Sequence, residues 1–220
     1  MEPELKMIIN YYMVIKMDKI KALENLRNER RLYNSSWMNK FTEVGDFTYA
    51  DHPRVWTWDD KTKLHVGKFC SIGANVQFLL GGEHHTEWCT TYPFNVLLPN
   101  ICCNEETIAK SKGDIIIGND VWIGNNVTIL SGSYIPSGAV IGNNSLVTDS
   151  CKIKPYTVNG GIPAKEIKRR FDCPQLMQFE LQTLHWWNWP LEKLADALPL
   201  LVSKDYEKLI EFHKNWKPNI

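Results

Sequence analysis

The most regular feature of this chain is an aliphatic residue at every sixth position in its second half. Seven consecutive positions of this series hold isoleucine or valine, and the residue four places after each is small or of modest size. A period of six fits neither an α-helix, which repeats about every 3.6 residues, nor a strand that alternates at every second residue. The series is Ile117, Ile123, Ile129, Ile135, Ile141, Val147 and Ile153.

A coil with three short flat faces accounts for this period. Each face takes six residues, and its aliphatic side chain points inward onto equivalent side chains about 4.8 Å away in the neighbouring coils. The small residue fits the corner, where glycine, asparagine and aspartate tolerate unusual backbone angles. The pattern therefore predicts a mostly β protein, a parallel β-helix of hexapeptide repeats.

The same phase occurs upstream of the main series and is interrupted once. Val66, Ile72 and Phe78 are spaced by six, and Val44 with Ala50 indicates an earlier coil. Between Phe78 and Ile117 the repeat is lost, so we expect residues 79–112 to form a long loop that protrudes from the coil. Long loops inside compact domains are usually functional.

Both ends of the chain have apolar residues at helical spacing. We expect residues 1–40 to be an N-terminal helical segment, residues 41–163 to be the β-helix with its loop, and residues 164–220 to be a C-terminal helical segment. The basic run "AKEIKRRF" leads out of the coil, and a solvated helix start is one interpretation of it.

Charge and cysteine content narrow the class of protein. The chain has 25 basic and 25 acidic residues, which gives no reason to expect nucleic acid as a partner. The apolar run "MIINYYMVIKM" is short and bracketed by lysines, so we expect neither a signal peptide nor a membrane span. The six cysteines show no CxxC pairing and are expected to be reduced thiols, which favours a cytoplasmic protein.

The predicted loop begins with the segment "GGEHHTEWCTTYPFN", which contains two adjacent histidines, His84 and His85. A neutral imidazole can act as a general base. The pair could also be a metal fragment with Cys89 and Glu83, but His-His-x3-Cys is not a zinc spacing and no second ligand pair occurs. A solvated polar loop is the third interpretation. A metal-dependent β-helical enzyme of the γ-carbonic anhydrase type is disfavoured, because the coil has no histidine after His85.

Several strings resemble one family over residues 42–201: "GKFCSIGANVQFLLGGEHHTEW", "TTYPF", "IIIGNDVWIGNNVTILSG", "AVIGNNSLVT" and "GGIPAKEIKRRF". The family is the hexapeptide-repeat xenobiotic acetyltransferases, which include type B chloramphenicol and streptogramin A acetyltransferases. The resemblance implies a left-handed parallel β-helix with a protruding active-site loop and C-terminal helices. It also implies a homotrimer with active sites between subunits, acetyl-CoA as co-substrate and no metal.

The resemblance also implies a catalytic residue. The family has one catalytic histidine shortly before an aromatic–Pro–Phe turn, which leaves His84 or His85, and the register with Gly81-Gly82 selects His84 as general base. His85 stands where the family usually has arginine. Glu87, in place of the family's aspartate, or a loop carbonyl is expected to orient His84.

Coenzyme contacts of the related galactoside acetyltransferases carry over onto positions in and after the coil. Asn143 replaces a small residue, so its contact is expected through the backbone. Lys165 and Lys168 would contact the coenzyme phosphates. Trp122 would flank the acetyl end of the coenzyme or pack against neighbouring side chains. The implied positions are Trp122, Asn125, Asn143, Thr148, Lys165 and Lys168.

The acceptor is expected to be a small molecule that stacks on Tyr92, Phe94, Trp56 and Trp58. The function we predict is acetyl-CoA-dependent O-acetylation of an antibiotic of the chloramphenicol or streptogramin type. One alternative is O-acetylation of a saccharide in cell-envelope polysaccharide biosynthesis. Another is a non-catalytic β-helical scaffold, against which the intact His84 motif argues.

Overall fold

The computed structural model describes residues 3–101 and 110–218, with side chains from residue 14 onward. The chain divides into two compact units. We call Leu32–Arg170 the coil unit, and we call Met1–Arg31 together with Phe171–Ile220 the terminal unit.

The coil unit is a parallel β-helix, as the sequence predicts. As far as β12, every third strand belongs to the same sheet, and β13 and β14 then both join the second sheet. The chain thus runs repeatedly through sheet A (β1-β4-β7-β10), sheet B (β2-β5-β8-β11-β13-β14) and sheet C (β3-β6-β9-β12). The strands are β1 Thr42–Val44, β2 Tyr49–Ala50, β3 Arg54–Trp56, β4 Leu64–Val66, β5 Ser71–Ile72, β6 Gln77–Leu79, β7 Ile115–Ile117, β8 Trp122–Ile123, β9 Thr128–Leu130, β10 Tyr134–Ile135, β11 Val140–Ile141, β12 Leu146–Val147, β13 Thr157–Gly160 and β14 Lys165–Arg169.

The strand register confirms the six-residue phase. Val66 pairs with Ile117, and Ile117 with Ile135, so equivalent hexad residues are stacked from one coil to the next. Val44 pairs with Val66, which confirms the earlier coil. The residues at every sixth position from Ile117 to Val147 are at most 2% exposed and form the core of the prism.

Asparagine side chains connect successive coils at the corner between sheets B and C. Oδ1 of Asn143 accepts a hydrogen bond from the Asn125 N–H at 2.9 Å, and Oδ1 of Asn125 accepts from the Ala74 N–H at 2.9 Å. A Cβ at Gly124 or Gly73 would overlap these amide oxygens, which explains the glycine that follows the aliphatic residue here.

One expected element is different. We expected residues 164–220 to be helical, but Lys165–Arg169 forms strand β14, antiparallel to β13. The open edge of β13 carries unpaired backbone groups, which a following extended segment can satisfy. Arg170 then fixes the end of the coil, because its Nη1 lies 2.8 Å from Asp120 Oδ2 and 2.8 Å from the Gly138 carbonyl.

The predicted loop is present between β6 and β7, and we call residues 80–114 the excursion. Its two legs meet at an antiparallel bridge, where the Glu83 and Lys110 N–H groups donate to each other's carbonyls at 3.2 and 2.9 Å. A short helix, α2 Phe94–Leu97, lies within it. Part of the predicted loop, residues 102–109 with Cys102 and Cys103, lies outside the described residues. The four described cysteines, Cys70, Cys89, Cys151 and Cys173, are free.

The terminal unit is helical. Leu181, Leu184, Leu209 and Ile210 form its apolar core. Lys16 on the first helix is paired with Asp196 at 2.7 Å. The helices are α1 Pro3–Asn34, whose last residues belong to the coil unit, then α3 Gln175–Thr183, a 3-10 helix Trp186–Asn188, α4 Leu191–Leu201 and α5 Tyr206–Asn215. Along residues 3–101 and 110–218, no helix combines the length and apolarity needed to cross a membrane.

Candidate active site

The first leg of the excursion is fixed by contact with an indole from an earlier coil. Gly82 has a φ of +86°, and a Cβ at this position would come within 2.7 Å of the Trp58 ring. Only glycine combines this backbone angle with so close an approach. Trp58 therefore determines where the chain leaves the coil, two residues before the histidine pair.

His84 is exposed, and one side of its imidazole is held by the excursion. Its Nδ1 lies 2.7 Å from the Thr91 carbonyl oxygen. Because a carbonyl can only accept a hydrogen bond, we assign the proton of the neutral ring to Nδ1. Nε2 then carries the lone pair, and it has no hydrogen-bond partner among the described residues. This arrangement suits a group that removes a proton from a molecule bound outside.

His85 points the other way. It is 5% exposed and stacks on Trp88 with ring centroids 3.9 Å apart and an interplanar angle of 11°. Its Nδ1 lies 3.1 Å from Glu87 Oε1. Of the two adjacent histidines, only His84 presents its ring to the outside.

The orienting hydrogen bond expected from Glu87 to His84 is not the one the structure contains. The Glu87 carboxylate contacts His85 and the ammonium group of Lys110, which lies on the other leg of the excursion. The hydrogen bond from Lys110 is the main reason that the pKa of Glu87 is lowered to about 2. The alternative, a loop carbonyl, is the one found at Thr91. Spacing in a non-helical loop does not fix the direction of a side chain, and the sequence therefore left both options open.

Four aromatic side chains lie on or beside the excursion. Tyr92 and Phe94 are in contact, with ring centroids 4.8 Å apart, and both are exposed. Trp56 and Trp58 have ring centroids 6.5 Å apart, and both are also exposed. The contact of Trp58 with Gly82 places the tryptophan pair at the base of the excursion. The supporting role of Trp58 depends on this long-range contact and has no signal in the sequence.

The residues expected to bind coenzyme are not gathered in one place within the chain. Trp122 is 58% exposed on the outer face of sheet B. Asn125 and Asn143 lie at the corner between sheets B and C, whereas Thr148 follows β12 at the corner between sheets C and A. The two lysines, Lys165 and Lys168, are exposed on β14.

We expected Asn143 to contact the coenzyme through its backbone. This expectation is compatible with the structure, because the side-chain oxygen of Asn143 already accepts a hydrogen bond from the neighbouring coil. In the described part of the chain, no three or more His, Cys, Asp or Glu side chains are grouped so that they could hold a metal ion. Glu83, one of the ligands considered for such a site, lies 3.7 Å from the ammonium group of Lys112.

Comparison with known proteins agrees with the coil. The family model described as "Bacterial transferase hexapeptide (six repeats)" matches residues 114–149. The chain is 37% identical to a chloramphenicol acetyltransferase of Morganella morganii over 198 residues, which is 88% of each chain. It is 44% identical to a probable macrolide acetyltransferase of Lysinibacillus sphaericus, over 64% of this chain and 78% of that protein. It is 34% identical to a virginiamycin A acetyltransferase of Staphylococcus aureus, over 76% of this chain and 79% of that one.

The chain therefore belongs to the hexapeptide-repeat xenobiotic acetyltransferases, and it is an acetyltransferase.

Proposed function

We propose that this protein transfers the acetyl group of acetyl-CoA to a hydroxyl group of a small acceptor, with His84 as the general base. The observation that carries the proposal is the 2.7 Å contact between His84 Nδ1 and the Thr91 carbonyl, on a histidine that is exposed. This contact favours the tautomer in which Nε2 can accept a proton.

The chemistry follows from that proton acceptor. Nε2 of His84 takes the hydroxyl proton while the acceptor oxygen attacks the thioester carbonyl carbon. The tetrahedral oxyanion is stabilised by hydrogen-bond donors at the site. When it collapses, the carbon–sulfur bond breaks, the acetyl ester remains on the acceptor, and the departing thiolate takes the proton from His84. The products are the ester and free coenzyme A.

The coenzyme site is proposed to lie between subunits of a left-handed homotrimer. The candidate coenzyme residues of one chain lie at two different corners of the prism and on β14, so a groove that contains them all needs more than one copy. Exposed aromatic side chains on the outer faces of the sheets, such as Trp122 and Tyr134, are suitable for contacts between copies. Lys165 and Lys168 are assigned to the coenzyme phosphates.

The acceptor is proposed to be an antibiotic of the chloramphenicol or streptogramin A type. Curated relatives named for chloramphenicol and virginiamycin A support this class. The exposed rings of Tyr92, Phe94 and Trp56 offer stacking surfaces for such a molecule. A saccharide is the second candidate acceptor, because the same rings can also stack on a sugar face.

The test is release of free thiol from acetyl-CoA with chloramphenicol, a streptogramin A compound and simple hexosides as acceptors. We expect turnover with a drug and a loss of about a hundredfold to ten-thousandfold in kcat for His84→Gln, since a general base contributes about that much. His185→Asn is the matched control, because His185 is an exposed histidine of the terminal unit and asparagine tolerates its left-handed backbone.

Turnover restricted to hexosides would replace the drug by a saccharide. A His84→Gln variant that is as active as His185→Asn would refute the assignment of the base.

A further inference from the structure

A chain of contacts joins the two legs of the excursion at its base and ends next to His84. We propose that His85, Glu87 and Lys110 form a clamp whose purpose is to position His84. The clamp residues are positioning residues, since none of them is assigned to touch the reacting atoms. This inference rests on the proposed role of His84 as general base.

The contacts run from one leg to the other without a gap. Lys110 is bonded through its backbone to Glu83 on the first leg, and its ammonium group contacts the Glu87 carboxylate. The same carboxylate oxygen lies 3.1 Å from Nδ1 of His85. A second lysine, Lys112, lies 3.7 Å from Glu83 and 2.9 Å from Asp149 on a later coil, so the base of the excursion is also tied to the β-helix.

His85 is the member that transmits this restraint. It is buried and lies flat against Trp88, so its ring has little freedom to turn. A peptide bond links it directly to His84. A shift of the second leg would therefore pass through Glu87 and His85 to the backbone of His84.

The geometry of His84 needs such a restraint. Its tautomer depends on a single contact, with the carbonyl of a residue seven positions further along the same loop. Both ends of this contact must keep their positions for Nδ1 to stay within hydrogen-bond distance. Thr91 is held within its own segment, where the Tyr92 N–H donates to Thr90 Oγ1 at 3.1 Å. The clamp holds the other end.

The clamp can be tested by removing and then restoring its charges. We expect Lys110→Met and Glu87→Gln each to lower kcat by roughly tenfold to a hundredfold, because a displacement of about 1 Å at a catalytic group can cost about a hundredfold in rate. The KM for acetyl-CoA should stay within about twofold, since no clamp residue is assigned to the coenzyme. Lys110→Arg should retain activity, and the charge-reversed pair Glu87→Lys/Lys110→Glu should recover part of it. Lys208→Met, which removes an exposed pair with Asp205 in the terminal unit, is the matched control.

A second readout does not depend on turnover. In protein with 15N-labelled histidine, the ring nitrogen shifts report which nitrogen of His84 carries the proton. We expect the Nδ1–H form in the wild type and the Lys208→Met control, and a mixture of tautomers in Lys110→Met and Glu87→Gln. The proposal would be overturned if both clamp variants kept the wild-type kcat and the wild-type tautomer of His84, even if His84→Gln is inactive. An active His84→Gln variant would instead refute the proposed function, while a mixed tautomer in the clamp variants would still support the contact chain.

Discussion

Gly82→Ala is the substitution that tests most directly how the coil positions the histidine segment. The change adds one methyl group at a residue with a φ of +86°. The new Cβ would stand 2.7 Å from two atoms of the Trp58 indole and 2.9 Å from a third, closer than real Cβ atoms come to their neighbours. Either the ring or the first leg of the excursion has to move.

The expected loss of stability has two parts. A left-handed backbone costs an alanine about 1 to 2 kcal/mol. Overpacking against the indole adds about 1 kcal/mol, the low end of the usual range, because Trp58 is 46% exposed and can give way in part. We therefore expect Gly82→Ala to lower the free energy of unfolding by about 2 to 3 kcal/mol.

Gly113→Ala separates these two parts. Gly113 lies at the other end of the excursion with a φ of +104°, and apart from its two chain neighbours no described residue comes within 4 Å of the position that a Cβ would take there. It should show the backbone cost alone, about 1 to 2 kcal/mol. Urea denaturation of both variants gives the difference between their losses in free energy of unfolding. In a Trp58→Ala background, where the indole is gone, the two glycine substitutions should cost the same.

Activity completes the test, because displacement of Gly82 should also displace His84. We expect a lower kcat for Gly82→Ala than for Gly113→Ala. Equal losses of stability for the two variants in the wild-type background, together with equal kcat, would refute the idea that Trp58 fixes the first leg.

Two further predictions concern the terminal unit. Asp196→Asn should lower the free energy of unfolding by about 3 kcal/mol, because it leaves the ammonium group of Lys16, 10% exposed, without its counter-ion. Asp60→Asn, which breaks an exposed pair with Lys40, should change it little, and equal effects in urea denaturation would contradict the reasoning. Burial and the nearby Lys193 lower the pKa of His213 in the folded chain. As the pH falls through about 6.5, the His213 ring therefore becomes protonated in the unfolded chain before it does so in the folded one. The corresponding stability is present above that pH and lost below it; His213→Gln should therefore flatten the fall in Tm between about pH 8 and pH 5, and an unchanged slope would count against this assignment.

The sequence by itself determined the coil and the place where it is interrupted. Residues such as Ile117 and Ile135 share a phase because stacked coils must bury the same position in every turn, and this constraint is written locally at every sixth residue. The loss of that phase after Phe78 marks the excursion for the same reason. The excursion motif also carries the family resemblance.

Only the tertiary structure decided how the excursion is used. His84 and His85 are identical in type and adjacent in sequence, yet one faces outward on the Thr91 carbonyl and the other is buried on Trp88. Glu87 is held by Lys110, 23 positions along the chain.

The tertiary structure also decided the conformation of β14. A helix start is one interpretation of its basic sequence, but the segment forms a strand because β13 offers it an open edge. These outcomes depend on contacts between residues that are far apart in the sequence and come together only in the folded chain. The six-residue period contains no information about such contacts.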